Sequence, residues 1–169
     1  MVRSDLPLDS LLANQNLRRL GALMAVDADG NALIAWTQDD GVAMSLYASR
    51  YDAATQTWSA AALVETSSDP VSFNTYVAVS LSGDEGVVAW VAYDGTEDNV
   101  YAARLSAGVW GTTRLLLDSR TEGASMPTAA IDAAGNATIL WVQADGWERS
   151  IYQAQHVAPH YLVPSGATW

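Results

Sequence analysis

WTQDDGVAMSLY at residues 36–47 recurs as WVAYDGTEDNVY at 90–101 and as WVQADGWERSIY at 141–152. Each copy has a Trp, an Asp-Gly pair four and five residues later, and a Tyr eleven residues after the Trp. Trp36, Trp90 and Trp141 are 54 and 51 residues apart. Periods of that size belong to propellers or solenoids, in which each unit is one supersecondary element that buries its core against its neighbours.

The repeat extends both ways. Upstream of each Trp lies a turn and an apolar run: VDADGNALIAW at 26–36, VSLSGDEGVVAW at 79–90 and IDAAGNATILW at 131–141. Downstream, a second turn leads to another Trp, as in YDAATQTW at 51–58 and LSAGVW at 105–110. Continuously apolar runs such as ALIAW and GVVAW suit strands covered on both faces, and the alternating flanks suit strands farther out. Asp-x-x-Gly-Asn is hairpin chemistry, because Asp bonds its own backbone and Gly or Asn accepts positive φ. Four short antiparallel strands per unit describe a β-propeller blade. The expected fold is all-β, with three four-stranded blades: residues 1–19 as a closing strand and linker, then blades at 20–66, 67–119 and 120–169. The third unit reaches Trp169 where a fourth strand is expected to begin. Residues near Leu6 to Leu12 read as that missing strand, displaced to the other end of the chain.

Three blades do not close a ring, and open blade faces leave large apolar areas. The expected partner is therefore a second copy, giving a homodimer of six blades. With 169 residues, half of them hydrophobic and seven Trp, the chain is not a disordered one. It holds no cysteine, and all eight of its basic residues are Arg against nineteen acids. A net charge of −11 argues against nucleic acid or an anionic membrane as partner. No apolar run reaches the roughly 20 residues of a spanning helix. MVRSDLPLDSLL lacks a signal-peptide core, so a secreted form would carry its signal elsewhere.

YDAATQTW, LSAGVW and VPSGATW (163–169) resemble worn forms of the sialidase Asp-box, Ser-x-Asp-x-Gly-x-x-Trp, which joins a blade's third and fourth strands. Ser165, Gly166 and Trp169 match best, without the Asp. The whole frame is similar to tandem repeats of large secreted bacterial propeller proteins. The resemblance implies a propeller and an extracellular or periplasmic setting; it leaves function open, since hydrolases, lectins and scaffolds share this architecture.

Sialidase-like hydrolases use an Arg cluster, a Tyr nucleophile and an acid. Arg50 and Arg104 occupy equivalent positions here, but Gln155 replaces the third. The competing reading is an Arg whose stem packs on a Tyr and whose head reaches water. Asp40, Asp94 and Asp145 cluster on one ring face, as ligands or as the turn itself. Glu148, Arg149 and above all Trp147, which has no aromatic counterpart in the other units, complete a candidate sugar-stacking loop. Asp27, Asp29 and Asn31 match the alternate oxygens of a calcium loop, a pattern that turn chemistry also explains. His156 and His160 flank Pro159 and read as surface loop residues. No cofactor is expected. The reading that results is a non-catalytic module for a glycan or protein surface. The alternatives are a glycoside hydrolase completed by oligomerisation, and a purely structural propeller fragment.

Overall fold

The computed structural model describes residues 19–39, 43–65, 77–111, 115–117, 122–156 and 163–165. Blade 1 contains β1 (Arg19–Val26), β2 (Ala32–Asp39) and β3 (Met44–Asp52). Its outer strand is broken into β4 (Thr57–Trp58) and β5 (Ala62–Leu63), both paired with β3. Blade 2 repeats the plan with β6 (Val77–Ser82), β7 (Glu85–Tyr93), β8 (Asp98–Ser106), β9 (Val109–Trp110) and β10 (Leu115–Leu116). Blade 3 has β11 (Ala124–Ile131), β12 (Ala137–Asp145), β13 (Glu148–His156) and β14 (Val163–Ser165). All pairings are antiparallel, and among the described residues there is no helix.

The repeated motif is the second strand, its turn and the third strand. Trp36 lies opposite Tyr47, Trp90 opposite Tyr101 and Trp141 opposite Tyr152. Each pair stacks with ring centroids 6.1 Å apart. Trp90 and Tyr101 join Leu33, Leu46 and Ala48 of blade 1 in one core. Trp141 and Tyr152 join Val87, Val100 and Ala102 of blade 2 in the next. Each blade thus covers the aliphatic face of the preceding one with its aromatic face. A fully buried Leu, Val or Phe-sized side chain contributes about 1.5–3 kcal/mol relative to exposure, so these two interfaces hold the blades together. The approach is close at Gly86 in β7, where an added Cβ would lie 3.0 Å from Leu33 Cδ2.

The turns between first and second strands behave as their sequences require. Asp27 Oδ1 accepts from Asp29 N and Asn31 N, and Asp27 Oδ2 accepts from Asn31 Nδ2. Asp132 and Asn136 build the same turn in blade 3, where Asp132 also caps Ala134 N. Asp27 Oδ2 further accepts from Gly83 N of blade 2, so the turn also ties two blades.

Two expectations are corrected. The third blade carries a short fourth strand of its own: β14 pairs Ser165 with Gln153 and Val163 with Gln155. Its Pro and brief length hid it from pattern reading, since Pro is tolerated on an edge strand but breaks the strand signal. His156 is a strand residue, half-buried against Arg104 of blade 2, rather than a surface loop residue. The closing strand near Leu6 to Leu12, His160 and Trp169 lie outside the described residues.

Candidate functional site

The strand directions sort the candidate residues onto opposite ends of the blades. The loops between second and third strands open at one end: Tyr93 pairs with Asp98, and Asp145 with Glu148. The turns between first and second strands close the other end, with Val26 opposite Ala32 and Ile131 opposite Ala137. Arg50 pairs with Leu33 and Arg104 with Val87, which places both arginines near that second end. At about 3.3 Å per residue, five or six residues of strand separate them from the loop end by roughly 17–20 Å. One small ligand therefore does not touch both the arginines and the Asp-Gly loops of a single blade.

At the loop end, Asp94 is occupied by its own turn. Its Oδ1 accepts from Thr96 N and Glu97 N, and its Oδ2 from Asn99 Nδ2. Those donors, led by the Glu97 and Thr96 amides, hold its carboxyl below the usual range against a smaller opposing effect of burial. Beside it Tyr93 is exposed, with its hydroxyl donating to Gly95 O. Asp145 accepts from Tyr152 Oη through Oδ2 at 3.3 Å. Its loop is a two-residue hairpin of Gly146 and Trp147, with Gly146 at φ 67°, the geometry that favours Gly first in such a turn. Trp147 at the tip is fully exposed. Glu148 and Arg149 are exposed beside it. Asp40 and the Gly41 that follows it lie outside the described residues.

At the turn end the arginines join blades. Arg50 Nη2 donates to Asp84 Oδ1 at 2.8 Å and to Gly83 O at 3.2 Å, both in blade 2. Arg104 donates to Glu85 Oε2 through Nη2 at 2.6 Å and through Nε at 3.1 Å, and its other Nη meets His156 of blade 3. The expectation that their heads reach free water is thus corrected: the heads are held by carboxylates and by the adjacent blade. Burial first and the Arg104 charge second push the His156 pKa below 6.5, with Glu85 opposing.

Of the three residues proposed as calcium ligands, Asp27 and Asn31 carry hydrogen bonds of their own. Four N–H donors fill the acceptor positions of Asp27, and Asn31 Oδ1 accepts from Ala53 N. Among the described residues, no group of three His, Cys, Asp or Glu is placed to hold a metal. Tyr93 escaped the sequence reading, although its place at the end of a second strand, next to Asp-Gly, marked it as a rim residue.

No protein-family profile matches the chain, and no characterised protein matches its sequence. Solved structures do match its fold. A thermostable family-43 glycoside hydrolase aligns at 14% identity with a TM-score of 0.55, over 94% of this chain and 61% of that one. An endo-arabinase from Bacteroides thetaiotaomicron aligns at 13% identity and a TM-score of 0.49, over 88% of this chain and 56% of that one. A Penicillium chrysogenum α-L-arabinanase aligns at 12% identity and 0.44, over 81% and 42%. The chain thus spans about half the length of the structures it resembles. The likeness establishes the propeller fold.

Proposed function

We propose that the chain is a propeller binding module that engages a glycan surface with its loop end, through Trp147 and the polar residues around it. The observation that carries the reading is Trp147 itself: a fully exposed Trp at the tip of a tight hairpin, flanked by Glu148 and Arg149. Large aromatics are rarely left wholly in water, and a rigid two-residue turn presents the ring at low entropic cost. Sugar rings stack their C–H faces on such platforms while acids and guanidinium groups meet the hydroxyls. Exposed Tyr93, at the same end of blade 2, and Asp94 and Asp145 extend that surface. The resemblance in fold to a glycoside hydrolase makes a glycan the favoured partner over a protein, by analogy alone.

A hydrolase built on Arg50 and Arg104 fits less well. Both guanidiniums are committed to carboxylates at the far end of the blades from the Asp-Gly loops.

The ring reading carries over as part of the same proposal. The downstream face of blade 3, with Thr138, Leu140, Val142 and Ile151, corresponds in register to the faces of blades 1 and 2 that following blades cover. Here Ile151 is 49% exposed. We take a second copy to supply the covering blade.

Stacking about 100 Å² of the indole on a sugar contributes about 2.5 kcal/mol at 25 cal/mol/Å². Trp147→Ala is therefore expected to weaken retention on insoluble or arrayed plant and bacterial glycans by roughly 50-fold. Equal retention by both proteins, or no retention of either, would overturn the reading.

A further inference from the structure

The outer ends of blades 1 and 2 do not close on each other. Between them lies a cleft of about 280 Å³, lined by Arg50, Asp52, Thr57 and Ser59 from blade 1 and by Leu105 and Trp110 from blade 2. The hairpins explain why it stays open. Blade 1 places four residues (53–56) between β3 and β4, whereas blade 2 places only Ala107 and Gly108 between β8 and β9. The longer hairpin stands beside the shorter one, and Trp110 is left half-buried between the core and the cleft. Between blades 2 and 3, Arg104 meets His156, and a Cβ on Gly135 would lie 2.9 Å from Arg104 Nη2.

We propose that this rim cleft is a second binding site, for a single neutral sugar unit, independent of the loop end and of Trp147. Its volume sits just under the roughly 300 Å³ at which small-molecule pockets begin, enough for one ring and not for a chain. Trp110 and Leu105 supply the apolar wall. Opposite them the groups offer both donors and acceptors. Arg50 Nε is buried and has no hydrogen-bond partner, although Nη2 of the same side chain holds Asp84 and Gly83. A buried N–H without an acceptor is costly, and a small shift of this lining side chain toward the cleft would let a ligand oxygen satisfy it. Asp52 uses Oδ1 for the Ala54 and Thr55 amides, while Oδ2 is 3.7 Å from Arg50 Nη1 and can accept from a sugar hydroxyl. Thr55 and Thr57 share one hydrogen bond at 2.8 Å, and the Thr55 hydroxyl also bonds Asp52, so this pair offers oxygen acceptors to a sugar hydroxyl. Charge selects against an acidic sugar. Asp52 and Asp84 already flank Arg50, and the chain carries a net charge of −11.

The test is an NMR titration of the ¹⁵N-labelled chain with L-arabinose, D-xylose and D-galactose, following the indole signals of the tryptophans. One ring in a cleft of this size is expected to bind in the millimolar range, about 1–10 mM. At least one sugar should shift the Trp110 indole signal saturably, assigned by its loss in Trp110→Phe. Ala60→Trp, which fills the cleft from an exposed lining position, should weaken that binding at least tenfold; Thr57→Phe serves if the first variant does not fold. Trp147→Ala should leave it unchanged. No shift of Trp110 with any of the three sugars overturns the proposal. So does binding that survives cleft filling, or shifts confined to Trp147, which would leave the loop-end reading standing alone.

Discussion

Gln143 provides the sharpest test of how a blade is satisfied internally. It is 1% exposed, it accepts from Trp141 Nε1 at 3.1 Å, and its amide nitrogen donates to Glu122 O at 2.8 Å. Gln38 stands in the same place relative to Trp36. Blade 2 has Ala92 two residues after Trp90, and there the indole nitrogen is buried without a partner. Replacing Gln143 by Leu keeps the volume and leaves the Trp141 N–H in the same orphaned state. The unsatisfied donor costs about 1–3 kcal/mol and the lost bond to Glu122 about 1 kcal/mol, so a loss of about 2–4 kcal/mol is expected. Urea unfolding followed by tryptophan fluorescence reads this as a lower midpoint with an unchanged slope. Trp90→Phe serves as the internal reference, because it removes ring area and no hydrogen bond. A loss under about 0.5 kcal/mol for Gln143→Leu would show that the Trp–Gln pair does not satisfy the blade, and would refute the reasoning.

Three further outcomes follow from particular contacts. Gly86→Val drives a side chain into Leu33 and Leu105 and should cost about 1–3 kcal/mol by overpacking, measured by thermal or urea melts; a neutral effect would mean blades 1 and 2 are not packed as described. His156 has a folded pKa below 6.5, so the unfolded chain binds its proton more readily; the stability it confers is complete above pH 6.5 and falls as pH drops toward the folded value. His156→Gln should flatten that part of the stability–pH curve, and an unchanged curve would remove the blade 2–blade 3 contact from the explanation. Ile151→Asp should convert a dimer into a monomer in light scattering on a sizing column; a wild-type monomer at all concentrations would contradict pairing through blade 3.

The features legible in the sequence are those whose partners lie within one hairpin. Trp90 and Tyr101 face each other because two nine-residue strands joined by the short 94–97 turn fix their register. Asp94 and Asp132 announce their turns because the donors to their carboxylates are amides two to four residues away. The roles of Arg50 and Arg104 were not legible. Arg50 meets Asp84 34 residues on, and Arg104 meets His156 52 residues on, contacts made only when one blade packs on the next. Gln38 and Gln143 look like surface residues among apolar neighbours until the indole N–H they satisfy is seen. The rim cleft has no sequence signal either, since it arises from the mismatch of two hairpin lengths in adjacent units. Trp147 could be singled out because the repeat itself supplied the comparison: Thr96 stands at the equivalent place in blade 2.

The most direct test of the binding role is a glycan array probed with the wild-type chain and with Trp147→Ala side by side, each checked for folding by its near-ultraviolet circular dichroism. Selective binding of the wild type to one class of neutral glycan, reduced roughly 50-fold in the variant, is the expected result. Identical profiles for the two proteins, or no glycan bound by either, would contradict a sugar-binding loop end.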